Sequence, residues 1–257
     1  MPDDSTHSTP RAALITGASR RIGRAIALEL SRAGYAVVLH ANRSRTDAEK
    51  LAAEIVRAGG RAAVVLADLA EHDAVHGLVP AASAFGALTL LVNNAGVFEP
   101  DEIDTLDRAR FERAFAVNLA APLFLAQAFA AQAPEGCDAS IVNIVDQRVF
   151  KPTPHFFSYS LSKSALYTAT TTLAQGLAPK LRVNAVAPGP TLPSPRQSDR
   201  QFATQAASLP LKRGPRPEDI AAAVLYLAQA GSVTGATLAV DGGQHLAWCT
   251  ADSDVVE

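Results

Sequence analysis

The stretch "TGASRRIG" (residues 16–23) follows the apolar run "AALIT" (12–16) and opens a helical pattern with Ile22, Ile26, Leu30 and Ala33 on one face. In a strand–turn–helix context, Gly17 and Gly23 let the backbone approach a pyrophosphate at the helix amino terminus, where unpaired N–H groups favour an anion. An ordinary tight turn is the alternative, and the flanking strand and helix weigh against it.

Outward from that loop, six further apolar runs recur: "AVVLH" (36–40), "AAVVLA" (62–67), "TLLV" (89–92), "SIVNIV" (140–145), "LRVNAVA" (181–187) and "TLAV" (237–240). Helical patterns separate them, one of which, "TDAEKLAAEIVRAGG", closes on a glycine stop. Apolar strands alternating with crossover helices predict an α/β fold of Rossmann type, a doubly wound parallel sheet of seven strands with helices on both faces. Residues 11–248 are expected to form a single domain, with 1–10 a disordered tail and 249–257 a C-terminal tail. The segment 188–216, rich in Pro and Ser, lacks periodicity. It follows a strand's carboxyl end, where open α/β sheets bind ligands, and reads as a substrate loop.

At 257 residues one such domain accounts for the chain. A formal charge of -2 carries no basic excess, so a small-molecule ligand is expected, with neither nucleic acid nor membrane as partner. Cys137 and Cys249 match no metal-ligand or disulfide spacing, so no metal and a reducing, cytoplasmic setting are expected. No run reaches the ~18 uninterrupted apolar residues of a membrane span, and "MPDDSTHSTP" lacks the regions of a secretory signal.

The loop departs from the usual glycine-rich pattern: Arg21, with Arg20 beside it, replaces a middle glycine. After the second strand, where NAD enzymes carry an acid for the ribose 2′-hydroxyl, stands "HANRS". Arg43 offers a planar fork for a 2′-phosphate, and His40 and Ser44 can add hydrogen bonds beside Asn42, so NADPH is favoured over NADH. A solvated Arg43 is the plainer alternative. Asp47 reads as a first-turn helix residue complementing the macrodipole.

"YSLSK" places Tyr159 and Lys163 at i and i+4, one face of a helix. There the ammonium would lower the phenol's pKa from about 10 and make Tyr159 a usable proton donor. Thirteen residues earlier, "NIVDQRVF" (143–150) puts Asp146 at a strand's end. It is a candidate acid, with a loop-capping carboxylate as the alternative.

These segments, with "NNAG" (93–96), "VNLAAP" (117–122), "RVNAVAPGP" (182–190) and "DGG" (241–243), stand in the order found in the short-chain dehydrogenase/reductase family, which the chain resembles over about 11–248. The resemblance implies that Asn118 helps organise a proton relay and that Lys163 also holds the nicotinamide ribose alongside Tyr159. It implies that Asp68 and Leu69 of "ADL" and Asn94, Ala95 and Gly96 of "NNAG" line the adenine side. Ile22 of the loop and Pro188 and Gly189 at the end of "RVNAVAPGP" join the cofactor set.

Most members carry serine at the place of Asp146 and glycine at that of Arg21. Both departures, with "HANRS" and Phe98 just beyond "NNAG", resemble the pteridine reductases and dihydromonapterin reductases. That resemblance implies a pterin or dihydrofolate-like substrate bound by Arg21, Phe98, Asp146 and Tyr159, and a homotetramer assembled through the helical patterns near 105–133 and 156–178. Phe98 would stack on the pterin face, although a core phenylalanine would read the same way. Arg21 would face the pterin's polar edge and the cofactor phosphates together. Gly96 stands where some pteridine reductases have a ring-contacting serine. Reducing a C=N bond needs hydride at carbon and a proton at nitrogen, and Asp146 could deliver the proton directly or through the phenol. A carbonyl reductase of a 3-oxoacyl or sugar-like ketone, and a non-catalytic NADPH-binding protein, are the competing readings.

Overall fold

The computed structural model describes residues 11–248. The two expected tails and Cys249 lie outside the described residues. In chain order the elements are β1 (Arg11–Ile15), α1 (Arg21–Arg32), β2 (Ala36–Ala41), α2 (Arg45–Arg57), β3 (Ala62–Leu66), α3 (His72–Ser83), β4 (Ala87–Asn93), α4 (Arg108–Phe115), α5 (Ala121–Gln132), β5 (Ala139–Ile144), α6 (Phe157–Leu177), β6 (Leu181–Pro188), α7 (Asp199–Ser208), α8 (Pro217–Gln229) and β7 (Thr237–Val240). The strands form one sheet in the order β3-β2-β1-β4-β5-β6-β7, every pair parallel. This is the expected Rossmann-type α/β architecture, and each expected strand is found within a residue or two of its ends.

Alternate side chains of a strand face opposite helix layers, so the sheet divides two cores. Leu14, Val38 and Ile141 pack with Leu125 and Phe129 of α5 on one face. Ile15, Leu39 and Val142 pack with Ile26 and Leu30 of α1 and Val224 of α8 on the other. Alternation breaks in β4. Ala12 pairs with Leu88 and Ala13 with Leu90, so Thr89 is an extra residue, and Leu88 and Leu91 both reach the first core.

Two helical expectations are corrected. The pattern near 105–133 is not one regular helix: α4 passes into a π-helical turn at Ala116–Ala120 before α5 begins. Apolar periodicity survives a single wide turn, so the sequence pattern hides it. The run Arg108–Gln132 is long and apolar enough to cross a membrane by length and composition, but here Leu125, Ala126 and Phe129 face the core. Within 188–216, expected to be aperiodic loop, lies α7. Ser198 accepts from Gln201 N while the Gln201 side chain accepts from Ser198 N, a capping box legible as Ser-x-x-Gln.

The order reverses between β1 and β4, opening a crevice at the carboxyl ends of the strands. The loops following β1, β2, β4, β5 and β6 converge there.

Candidate active site

Two adjoining cavities occupy the crevice. The first, of about 720 Å³, is bounded by the loop after β1, the end of β2, and the segments at Asp68 and Asn94–Val97. Gly17 has φ +63°, and a Cβ there would fall 2.9 Å from Ala95 Cα; a Cβ on Gly23 would fall 2.2 Å from Gly17 O. Both close approaches require glycine. The amino terminus of α1 has no side-chain cap and no acid in its first turn, which leaves its N–H groups open to an anion. Asn94 Nδ2 donates to Thr16 O and Gly17 O, tying the loop to the end of β4.

No carboxylate stands at the end of β2. Arg43 is exposed beside the cavity, and Ser44 Oγ lies 2.7 Å from Ser19 Oγ. These residues fit a phosphorylated ribose. His40 borders the same cavity but has no ring nitrogen free for the phosphate. It is 1% exposed, Nδ1 accepts from Gly17 N at 3.1 Å, and Nε2 lies 3.1 Å from Ala67 O, so both ring nitrogens are spent bracing the loop against the chain after β3. Burial lowers its pKa, consistent with a neutral brace. Arg20 pairs with Asp47, so that acid does more than complement the α2 dipole. Asp68 accepts from Ala70 N at 3.0 Å and faces Arg113, and the Ala70 bond leads in lowering its pKa.

The second cavity, of about 390 Å³, lies between the end of β5, the start of α6 and the segment beyond β6, and shares Arg21, Ile22, Asn94 and Gly96 with the first. Tyr159, Lys163, Pro188 and Gly189 line this cavity. Tyr159 OH donates to Asp146 Oδ2 at 2.9 Å. Asp146 Oδ1 accepts from Arg148 N at 2.8 Å, and the Arg148 guanidinium lies 3.3 Å away. Asp146 is therefore at once the loop cap and the phenol's partner, two readings that the sequence presents as alternatives.

The expectation that Lys163 lowers the phenol's pKa is reversed here. Burial, followed by the adjacent Asp146 carboxylate, pushes the Tyr159 pKa well above 10. Lys163 donates from Nζ to Ile144 O at 2.7 Å, and burial brings its own pKa to about 8. Position on one helix face does not fix where a long side chain spends its charge.

Asn118, fully buried in the π-helical turn, brackets Val97: Oδ1 accepts from Val97 N and Nδ2 donates to Val97 O and to Ser162 Oγ. Ser162 Oγ in turn donates to Tyr159 O. Asn118 is thus a positioning residue between the "NNAG" segment and α6. A Cβ at Gly96 would lie 3.2 Å from Asn118 Oδ1, so a serine there would force the bracket to give.

Arg21 has φ 53° and does the glycine's backbone work at a strained non-glycine residue. Its guanidinium donates to Pro193 O at 2.9 Å and Leu192 O at 3.1 Å, holding the segment beyond β6, while the residue stays exposed and lines both cavities. Phe98 is half-buried in the cavity wall. It stacks on Phe156 at 4.2 Å and meets Tyr159 edge-on at 4.7 Å.

Sequence reasoning left unassigned Gln147, Arg148, Phe156, Arg196 and Phe202. Arg148 was discoverable, because a strand-end Asp commonly accepts from the N–H two residues on. Arg196, which donates to Phe98 O at 2.7 Å and pairs with Glu99, had no local signal.

A family model described as enoyl-(acyl carrier protein) reductase matches residues 17–245. An uncharacterized oxidoreductase of Methylorubrum extorquens is 38% identical over 91% of this chain and 97% of its own. The 3-oxoacyl-[acyl-carrier-protein] reductase of Synechocystis is 32% identical over 93% and 98%. Among solved structures, FolM alternative dihydrofolate reductase 1 from Brucella canis, complexed with NADP, superposes with a TM-score of 0.91 at 50% identity, covering 95% of this chain and 97% of that one. The chain belongs to the short-chain dehydrogenase/reductase family of oxidoreductases.

Proposed function

We propose that this member of the short-chain dehydrogenase/reductase family reduces a C=N bond of a dihydropteridine, a dihydropterin or dihydrofolate-like compound, with NADPH as cofactor. The observation that carries the reading is the Tyr159–Asp146 hydrogen bond, backed by Arg148 and set beside Phe98. The likeness to a dihydrofolate reductase holding NADP supports both parts.

NADPH supplies the hydride. The open terminus of α1 and the Gly17 turn suit its pyrophosphate, and Arg43 and Ser44 suit a 2′-phosphate. Tyr159 and Asp146 manage the proton. A phenol whose pKa lies well above 10 gives up its proton poorly by itself, because the phenolate would sit against a carboxylate. A concerted transfer avoids that state once Asp146 has taken a proton from solvent and turned to donate to the phenol oxygen: the phenol protonates the substrate nitrogen as the Asp146 carboxyl reprotonates the phenol. The carboxylate left behind is held by Arg148 N and the guanidinium. One face of Phe98 is taken by Phe156, and the ring's other face is the one that would stack on a flat heterocycle.

Asp146→Asn tests the assignment. Asn keeps the shape but has no carboxyl proton to give, so dihydropteridine turnover should fall by the ~10²- to 10⁴-fold typical of general acid catalysis while NADPH affinity holds. Retained turnover in a folded variant would reject the role. The second reading, a carbonyl reductase, is favoured by the 3-oxoacyl reductase among the relatives. Asp146→Ser separates the two: a pteridine reductase loses activity, whereas a ketone reductase keeps or gains it.

A further inference from the structure

One side chain of the second cavity is used neither by the fold nor by the proton pair. Gln147 follows Asp146, lines the cavity, and is 6% exposed. Its Oε1 has no hydrogen-bond partner among the described residues. A buried carbonyl left without a donor destabilises a fold, so cores rarely keep one. A methionine or leucine of similar size would fill the same space without that cost.

Its surroundings indicate what the amide is for. Gln197, Gln205 and Gln244 line the same cavity; Gln197 Nε2 donates to Gln205 Oε1 at 2.9 Å, and Gln244 Oε1 is also unpartnered among the described residues. The two cations near the aromatic pair are already committed, Arg148 to Asp146 and Arg196 to Glu99. Arg21 and Lys163, which also line the cavity, donate to backbone carbonyls, so its uncommitted polar lining includes neutral carboxamides beside an aromatic stack, which suits an uncharged planar ring rich in N–H groups better than a simple ketone.

We infer that Gln147 contacts the substrate and sets its specificity: Oε1 accepts a hydrogen bond from an N–H of the heterocycle, one residue from the acid that serves the reaction. This rests on the dihydropteridine reading and adds a recognition element to it. Sites built to pair a substrate N–H discriminate strongly against rings lacking it, because the buried acceptor is then left bare.

The test combines turnover with melting temperature. Gln147→Met is compared with the wild type for 7,8-dihydrobiopterin and dihydrofolate turnover, NADPH affinity, and Tm without substrate. The expected result is a KM raised roughly 5- to 100-fold, as for loss of a hydrogen bond to a buried acceptor. The change in kcat should be smaller, NADPH affinity should hold, and Tm should stay equal or rise. A structural amide would behave oppositely, with Tm falling and KM unmoved, and that result overturns the inference. Gln147→Leu is the second variant, and failure of both to fold also overturns it by making the amide structural. A folded wild type that turns over neither compound instead refutes the dihydropteridine reading, an outcome visible before any variant is made.

Discussion

Replacing Lys163 with methionine probes the electrostatics of the site through stability rather than turnover. The lysine is buried, and its pKa falls from 10.5 to about 8. That drop corresponds to about 3 kcal/mol of unfavourable burial whenever the ammonium is charged in both folded and unfolded chains. Below pH 8 the full cost is present. Between about 8 and 10.5 the folded state has released its proton and the unfolded state has not, so the lysine's contribution to stability rises with pH; above 10.5 both forms are neutral and the cost is gone. The methionine variant escapes this cost but strands Ile144 O, which loses its donor at a pH-independent cost of about 1–3 kcal/mol. The variant should therefore exceed wild type in stability by between about zero and 2 kcal/mol at pH 7, and that difference should fall by about 3 kcal/mol between pH 8 and 10.5. Urea denaturation of both proteins at half-unit pH steps measures the difference. Tyr159, raised in the opposite sense, lowers stability only above pH 10, and it is common to both proteins. A gap that stays flat between pH 8 and 10.5 would refute an unfavourably buried ammonium.

Arg43→Ala should weaken NADPH while leaving NADH nearly unchanged in fluorescence titrations; equal losses would reduce Arg43 to a loop residue. Phe98→Ala should weaken a flat diaminopteridine inhibitor by about 0.5–1.5 kcal/mol plus lost burial, read from its inhibition constant, and unchanged inhibition would leave Phe98 only the partner of Phe156. Assembly as a homotetramer should appear in sedimentation at micromolar concentration, and a lone monomer there would reject it; the edge strand β7 and neighbouring α8 also expose Leu238 and Tyr226. His40→Ala should lower Tm as well as NADPH affinity, because the ring braces Gly17 N and Ala67 O, whereas a loss of affinity alone would restore it to the phosphate site.

The layer architecture was legible in the sequence because local chemistry enforces it. Seven apolar runs can be buried on both faces only in a covered parallel sheet, and the glycines of residues 16–23 are required by close approaches to Ala95 and Gly17 O. The residue types of the site were legible too, since Tyr159, Lys163, Asp146 and Phe98 all line one cavity. Their hydrogen bonding was decided by tertiary structure. His40 reads as a phosphate ligand until the segments after β1 and β3 take both its nitrogens, and nothing in the sequence shows that Arg21, at a φ of 53°, also holds the carbonyls of Leu192 and Pro193. Whether Lys163 or Asp146 governs the Tyr159 phenol is likewise a question of distances, which a four-residue spacing leaves open. Periodicity records which faces are buried. It does not record where a polar group finds its partner, because those partners come from segments far apart in the chain and meet only when the sheet is assembled.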